Sequence, residues 1–103
     1  MSDLLHQNFS TVQSQLQPNP VTMAAATTIA PSTFLTFLTG TTSVATITPP
    51  VSGCHMLALV STDSGTTNAT VTTGNIQLAS TFVRYKALLM TYDPASAKYY
   101  PSY

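Results

Sequence analysis

The chain has 103 residues, which is the length of one domain. Only 6% of its residues are charged and its formal net charge is zero, whereas soluble domains average about 25% charged residues. Arg84, Lys86 and Lys98 are too few to build a nucleic-acid-binding face. The composition therefore argues against a freely diffusing monomer and predicts a surface that is completed by assembly with other chains.

The first predicted element is an amphipathic helix over residues 2–17, within an N-terminal arm that spans residues 1–20. The segment contains no Gly or Pro, and Pro18 and Pro20 end it. Its large apolar residues recur at the spacing of one helical stripe, and they are Leu5, Phe9, Val12 and Leu16. Because an isolated helix of about 15 residues is marginal in water, we expect the stripe to pack on its own domain, to dock on a neighbouring subunit or to bundle with copies of itself. A disordered arm is the remaining alternative.

The second predicted unit, residues 21–103, is all-β, because β-branched and aromatic residues alternate there between single Gly and Pro residues. About eight short strands in this length are typical of a compact β-sandwich or jelly roll. The predicted strands are Thr27–Ala30, Thr33–Thr39, Ser43–Thr48, His55–Ser61, Thr70–Thr72, Asn75–Leu78, Leu88–Tyr92 and Lys98–Tyr103.

Several of these strands are apolar on both faces. The segment 55–60 is almost continuously apolar, and in 33–39 Phe34 and Leu38 alternate with Leu35 and Phe37. Continuous apolar runs are typical of strands that are covered on both sides. Since one sandwich has one interior, we expect another element or another chain to cover a second face.

The sequence offers little catalytic or metal-binding chemistry. Asp3, Asp63 and Asp93 occupy helix-capping or turn positions, where a structural role explains them. No nucleophile elbow surrounds a serine, and the Cys54-His55 pair lacks the further ligands of a zinc site. We therefore expect no enzyme activity, no catalytic residues, no metal and no cofactor.

The sequence also predicts no membrane or secretory signal. The sequence has no run of 18 apolar residues, which is about the length needed to cross a bilayer. No cationic segment followed by an apolar run opens the chain. We expect synthesis in a host cytoplasm.

Tyrosines at the C-terminus suggest a contact surface, because Tyr combines broad apolar contact with a polar tip. A terminal strand that packs on the core explains them equally well. Besides the arm stripe, the candidate partner-contact residues are Phe34, Phe37, Tyr99, Tyr100 and Tyr103.

An ordered series of turn and strand phrases resembles a block found in virion structural proteins of tailed bacteriophages. The phrases are Thr46–Pro50, Gly53, Met56–Val60, Thr73–Thr81, Leu89–Asp93 and Lys98–Tyr103. The resemblance covers a little over half of the chain and carries no catalytic motif. It implies a compact β-domain on a phage particle.

A short chain with its own arm resembles a capsid decoration, or cement, protein. The resemblance implies a homo-oligomer, most simply a trimer, on the outside of the head, where it stabilises contacts between major capsid subunits. The alternative is a tail or fibre component whose β-domain binds a host receptor such as a glycan, with Tyr85, Tyr99 and Tyr100 as aromatic platforms. Either implies a virion location, the capsid surface being favoured, without nucleic acid or membrane as partner.

Overall fold

The computed structural model describes residues 19–63 and 69–103, and this part of the chain is all-β with no helix. The helix predicted over residues 2–17 lies outside it. Nine short strands follow one another in chain order. They are β1 (Val21–Ala24), β2 (Thr28–Ile29), β3 (Leu35–Thr39), β4 (Thr46–Ile47), β5 (His55–Ser61), β6 (Ala69–Thr70), β7 (Ser80–Thr81), β8 (Leu88–Asp93) and β9 (Lys98–Pro101).

The main sheet has five strands in the order β1-β3-β5-β8-β9. β1, β3 and β5 pair in parallel, whereas β8 and β9 are antiparallel to their neighbours, so the sheet is mixed. β8 and β9 form a hairpin whose turn begins at Asp93-Pro94, where Asp93 accepts a hydrogen bond from the Ala95 N–H at 3.0 Å.

The first half of the chain alternates between two layers, and one pass through both layers forms one coil. β1, β3 and β5 belong to the main sheet, whereas β2 and β4 form a second layer in which they pair in parallel with each other. The next coil continues the stack, because Val44 bridges in parallel to Thr70 of β6. Parallel neighbours need crossovers rather than hairpins, and here each crossover passes through the opposite layer.

One hydrophobic core lies between the layers. From the main sheet it takes the side chains of one face, which include Leu38, Leu57, Leu59, Leu88, Met90 and Tyr99. Ile29 of β2 and Ile47 of β4 close it from the other side, together with Val44, Ile76 and Phe82. Thr36 holds the one buried side-chain polar atom of the described residues without a hydrogen-bond partner, its Oγ1.

Gly74 and Asn75 fasten the loop after β6 to β4. The Asn75 side chain accepts from the Ile47 N–H at 2.9 Å and donates to the Ile47 carbonyl at 2.7 Å, as a neighbouring strand would. The Asn75 N–H donates to the Ala45 carbonyl at 3.2 Å. Gly74 lies so close to Ala45 and Thr46 that a Cβ at this position would overlap both.

The structure confirms the predicted all-β class and changes some strands. The prediction for β5 has the observed bounds, and those for β3, β8 and β9 differ only at their ends. The predictions missed β1 and β7 and were wrong about a strand over 75–78. There Ile76 makes a single bridge to Tyr99, formed by two backbone hydrogen bonds. On its other side the segment is held to Ile47 by the Asn75 side chain.

Candidate functional site

One exposed apolar surface of the described residues is the projecting turn, which we define as Phe82–Lys86. Phe82 anchors it in the core at 6% exposure, whereas Val83 and Tyr85 are 51% and 66% exposed. The Lys86 N–H donates to the Val83 carbonyl at 3.0 Å, and the Tyr85 N–H donates to the Ser61 carbonyl at 3.0 Å. The turn therefore holds two large apolar side chains in solvent on a fixed base.

Tyr85 adopts a left-handed backbone conformation with a φ of 65°. For a residue other than Gly this conformation costs about 1–2 kcal/mol. Such strain persists only where the surroundings impose it, and it concentrates at functional sites. The sequence gives no sign of this conformation, because turns of this kind ordinarily place Gly or Asn there.

The projecting turn also carries two of the chain's three Lys and Arg residues. The Arg84 guanidinium lies over the Tyr85 ring at 4.3 Å from its centroid, and Arg84 Nε donates to the Thr62 carbonyl at 3.0 Å. Lys86 Nζ lies 4.7 Å from the centroid of the Tyr103 ring. Cation–π contacts of this kind orient the aromatic rings, so the turn presents a defined apolar and cationic surface.

The structure separates the candidate contact residues by exposure. Phe34 and Tyr100 are exposed, at 36% and 40%, while Phe37 and Tyr103 are half-buried. Tyr99 is fully buried in the core, so its side chain presents no outer surface, either for a partner or as a platform for sugar. Leu5, Phe9, Val12 and Leu16 lie outside the described residues.

An aromatic cluster surrounds His55. Its ring stacks on Tyr92 at 4.8 Å and meets Tyr99 edge-on at 5.5 Å. Nδ1 lies 2.9 Å from the Gly53 carbonyl and must donate to it, since a carbonyl only accepts. Nε2 lies 2.7 Å from the Tyr99 hydroxyl, which donates to it.

This cluster is suited to structure rather than to catalysis. Burial, with a smaller contribution from Tyr92, raises the pKa of Tyr99, so the phenol remains a proton donor to His55. The fully buried Tyr99 side chain is out of reach of a substrate. The contact joins β5 to β9 across β8.

The two described acidic residues belong to turns. Asp63 accepts a hydrogen bond from the Gly40 N–H, which ties the ends of β3 and β5 together. The Ala95 N–H, followed by the Ser96 hydroxyl at 2.9 Å, holds the pKa of Asp93 below its usual range. Asp93 therefore stabilises its own turn, as its position in the sequence predicts. Asp63 instead binds backbone that is 23 residues away in the sequence.

Within residues 19–63 and 69–103, no group of three or more His, Cys, Asp or Glu side chains is placed to hold a metal ion. Nor does this part of the chain contain a helix long and apolar enough to cross a membrane.

Comparison with known proteins found no matching family model, no matching curated protein and no matching solved structure.

Proposed function

We propose that this chain is a virion structural protein of a tailed bacteriophage, and specifically a decoration protein on the outside of the capsid. The observation that carries the proposal is a surface with few charges that exposes large apolar side chains at fixed positions. Val83 and Tyr85 are more than half exposed on the projecting turn, and Phe34 adds a third exposed apolar group. Such groups are suited to contacts with protein, which bury aromatic anchors at their centre.

The proposed mechanism is mechanical. A decoration protein that binds the assembled shell more tightly than free capsid subunits stabilises the shell by linkage. Tyr85 would be the anchor, because its ring is exposed and its orientation is fixed by Arg84 and by the strained backbone. An anchor that is already oriented loses little conformational freedom on binding, which favours affinity.

The same proposal includes the finer architecture and the assembly. In this proposal the two β-layers and the core between them form a small β-sandwich, and residues 1–20 form a helical arm. Assembly of copies into a trimer would cover further apolar surface and explain how a chain with 6% charged residues stays in solution.

Imaging of purified phage particles tests the location. Density for this fold at regular positions on the capsid, with a copy number in fixed ratio to the capsid subunits, is expected. Its absence from every part of the particle would refute the proposal.

Particle binding tests the contact surface. The variant Tyr85→Ser is expected to lose capsid occupancy while it folds normally, whereas Leu78→Ser, which removes a 62% exposed apolar group on another segment, is expected to keep it. Equal occupancy for both variants would exclude the projecting turn as the anchor.

The alternative is a tail or fibre component that binds a receptor glycan. The exposed Tyr85 and Tyr100 rings favour it, since aromatic faces and a few polar groups form sugar sites. A few copies confined to the tail, together with loss of host adsorption in Tyr85→Ser particles, would select this function over capsid decoration.

A further inference from the structure

The main sheet has a second apolar face that does not belong to the core. Side chains alternate between the two faces along each strand, and the registers of β3, β5 and β8 place six apolar residues together on the side away from the core. We call this set the outer face: it consists of Leu35, Phe37, Met56, Ala58, Val60 and Leu89. None of the six belongs to the core cluster or packs against it.

The strand registers place small residues along the middle of the outer face and larger residues on either side, an arrangement that we call the channel. Ala58 and Val60, the small residues of the central strand β5, are buried. Leu35 and Phe37 on β3 form one side, and Leu89 on β8 forms the other. A channel of small residues between large ones accepts the apolar side of a helix.

We infer that the arm's apolar stripe packs along this channel on the sheet of its own chain. The two surfaces match in chemistry, since the stripe is Leu, Phe, Val and Leu, and segment 2–17 carries Asp3 as its one acidic residue and no Lys or Arg. No charged residue belongs to the outer face.

The lengths also match. A helix over residues 2–17 is about 24 Å long, and the seven residues of β5 span about 23 Å.

Connectivity selects the same chain over a second copy. Residues 18–20 join the predicted helix to β1, which lies at the edge of the same sheet and next to β3. Connections of about 2–6 residues are usual between a helix and the strand on which it packs. So short a tether keeps the stripe at high effective concentration near its own sheet, and the helix would run back from the start of β1 towards the far end of β3.

This inference does not depend on the proposed virion function, and its test uses the free full-length protein. Replacement of the one cysteine by Cys54→Ser, combined with Thr39→Cys, puts a nitroxide spin label at the far end of β3. We expect the amide NMR signals of residues 3–8 to be broadened by the label. The added variant Phe9→Asp should abolish the broadening, while Ser14→Asp, on the opposite side of the predicted helix, should leave it intact.

Two further measurements make the result decisive. The first is a mixture of two kinds of chain: one carries the NMR isotope without a spin label, and the other carries the spin label without the isotope. Broadening of residues 3–8 in this mixture would show that the arm docks on a second copy, and this would overturn the same-chain inference. Without any label, Phe9→Asp should lower the urea midpoint of the intact protein and Ser14→Asp should not. Unbroadened arm signals, or equal midpoints for the two variants, would refute docking on the outer face.

Discussion

The close approach of Gly74 to β4 makes Gly74→Ala the sharpest test of how the layers are held together. An added Cβ would lie 2.7 Å from the carbonyl carbon of Ala45, and the Ala45 oxygen and Thr46 Oγ1 would be closer still. Two of these three atoms are backbone of the strand segment that carries β4, so they cannot rotate away. The loop at residues 73–75 would have to move instead.

The expected loss follows from two contributions. Overpacking of a tight site costs about 1–3 kcal/mol. Movement of the loop would also weaken the Asn75 hydrogen bonds to Ala45 and Ile47, each of which contributes about 1 kcal/mol. If two of these bonds are lost, the free energy of unfolding falls by roughly 3–5 kcal/mol. Domains of this size are stable by about 5–15 kcal/mol, so the variant should be close to unfolding.

Urea denaturation followed by circular dichroism measures this loss, and two variants control it. Gly53 also lacks a side chain but has a φ of 82° with open space around it, so Gly53→Ala isolates backbone strain of about 1–2 kcal/mol. The double variant Gly74→Ala with Thr46→Ala removes the side-chain overlap and leaves the carbonyl. It should remain strongly destabilised. A Gly74→Ala protein within about 1 kcal/mol of the parent would refute the close approach on which the reasoning depends.

Three further outcomes are expected. Thr36→Val should raise the free energy of unfolding by about 1–2 kcal/mol, because it removes a buried hydroxyl without a partner and keeps the shape of the side chain; urea denaturation checks it. Tyr85→Gly should leave stability unchanged or higher by up to about 1 kcal/mol, since relief of backbone strain offsets the added flexibility of Gly in the unfolded chain, while particle binding falls. Above pH 10, the ordinary pKa of a tyrosine, the unfolded chain ionises at Tyr99 while the folded chain does not, so the free energy of unfolding of the parent should fall. The free energy of unfolding of Tyr99→Phe should fall less over the same pH range.

Each of these expectations has a contradicting outcome. A destabilised Thr36→Val protein would mean that the hydroxyl has a partner. A loss of more than about 2 kcal/mol in Tyr85→Gly would mean that the ring contributes to folding more than its exposure allows. Parallel stability curves for the parent and Tyr99→Phe between about pH 9 and 12 would show that Tyr99 titrates normally in the folded protein. Tyr100→Phe, on the exposed side of the same strand, is the matched control for that pH series.

The sequence predicted the β class and the longest strand because those depend on local pattern. Met56–Val60 is a continuous apolar run, and the observed strand His55–Ser61 extends it by one residue at each end, as predicted. β1 escaped prediction because Ala24, Ala25 and Ala26 favour no strand, and its pairing with β3 is a long-range contact.

The parallel winding could not be predicted from strand spacing alone. Alternation indicates which residues share a face and not which strand lies beside which. The exposed Tyr85 ring was noticed as an aromatic group, but its left-handed backbone depends on hydrogen bonding to Ser61, which is distant in sequence. The burial of Tyr99 likewise depends on the register of β9 with β8, which places its side chain on the core face of the sheet.

The coiled path of the first half of the chain has a consequence for how copies behave at high concentration. The first coil consists of β1 and β2. Among the described strands, β1 lies at one edge of the main sheet and β2 at one edge of the β2-β4 ladder, and exposed strand edges of this kind can pair with strands of other molecules. Many proteins protect such edges with charged side chains, but this coil has none between residues 19 and 34. Its protection is proline: Pro20 immediately precedes β1 and Pro31 follows β2 by one residue, and each lacks the N–H that an incoming strand would need. Edge-to-edge growth is thereby limited by backbone chemistry in a protein that has almost no charge with which to limit it.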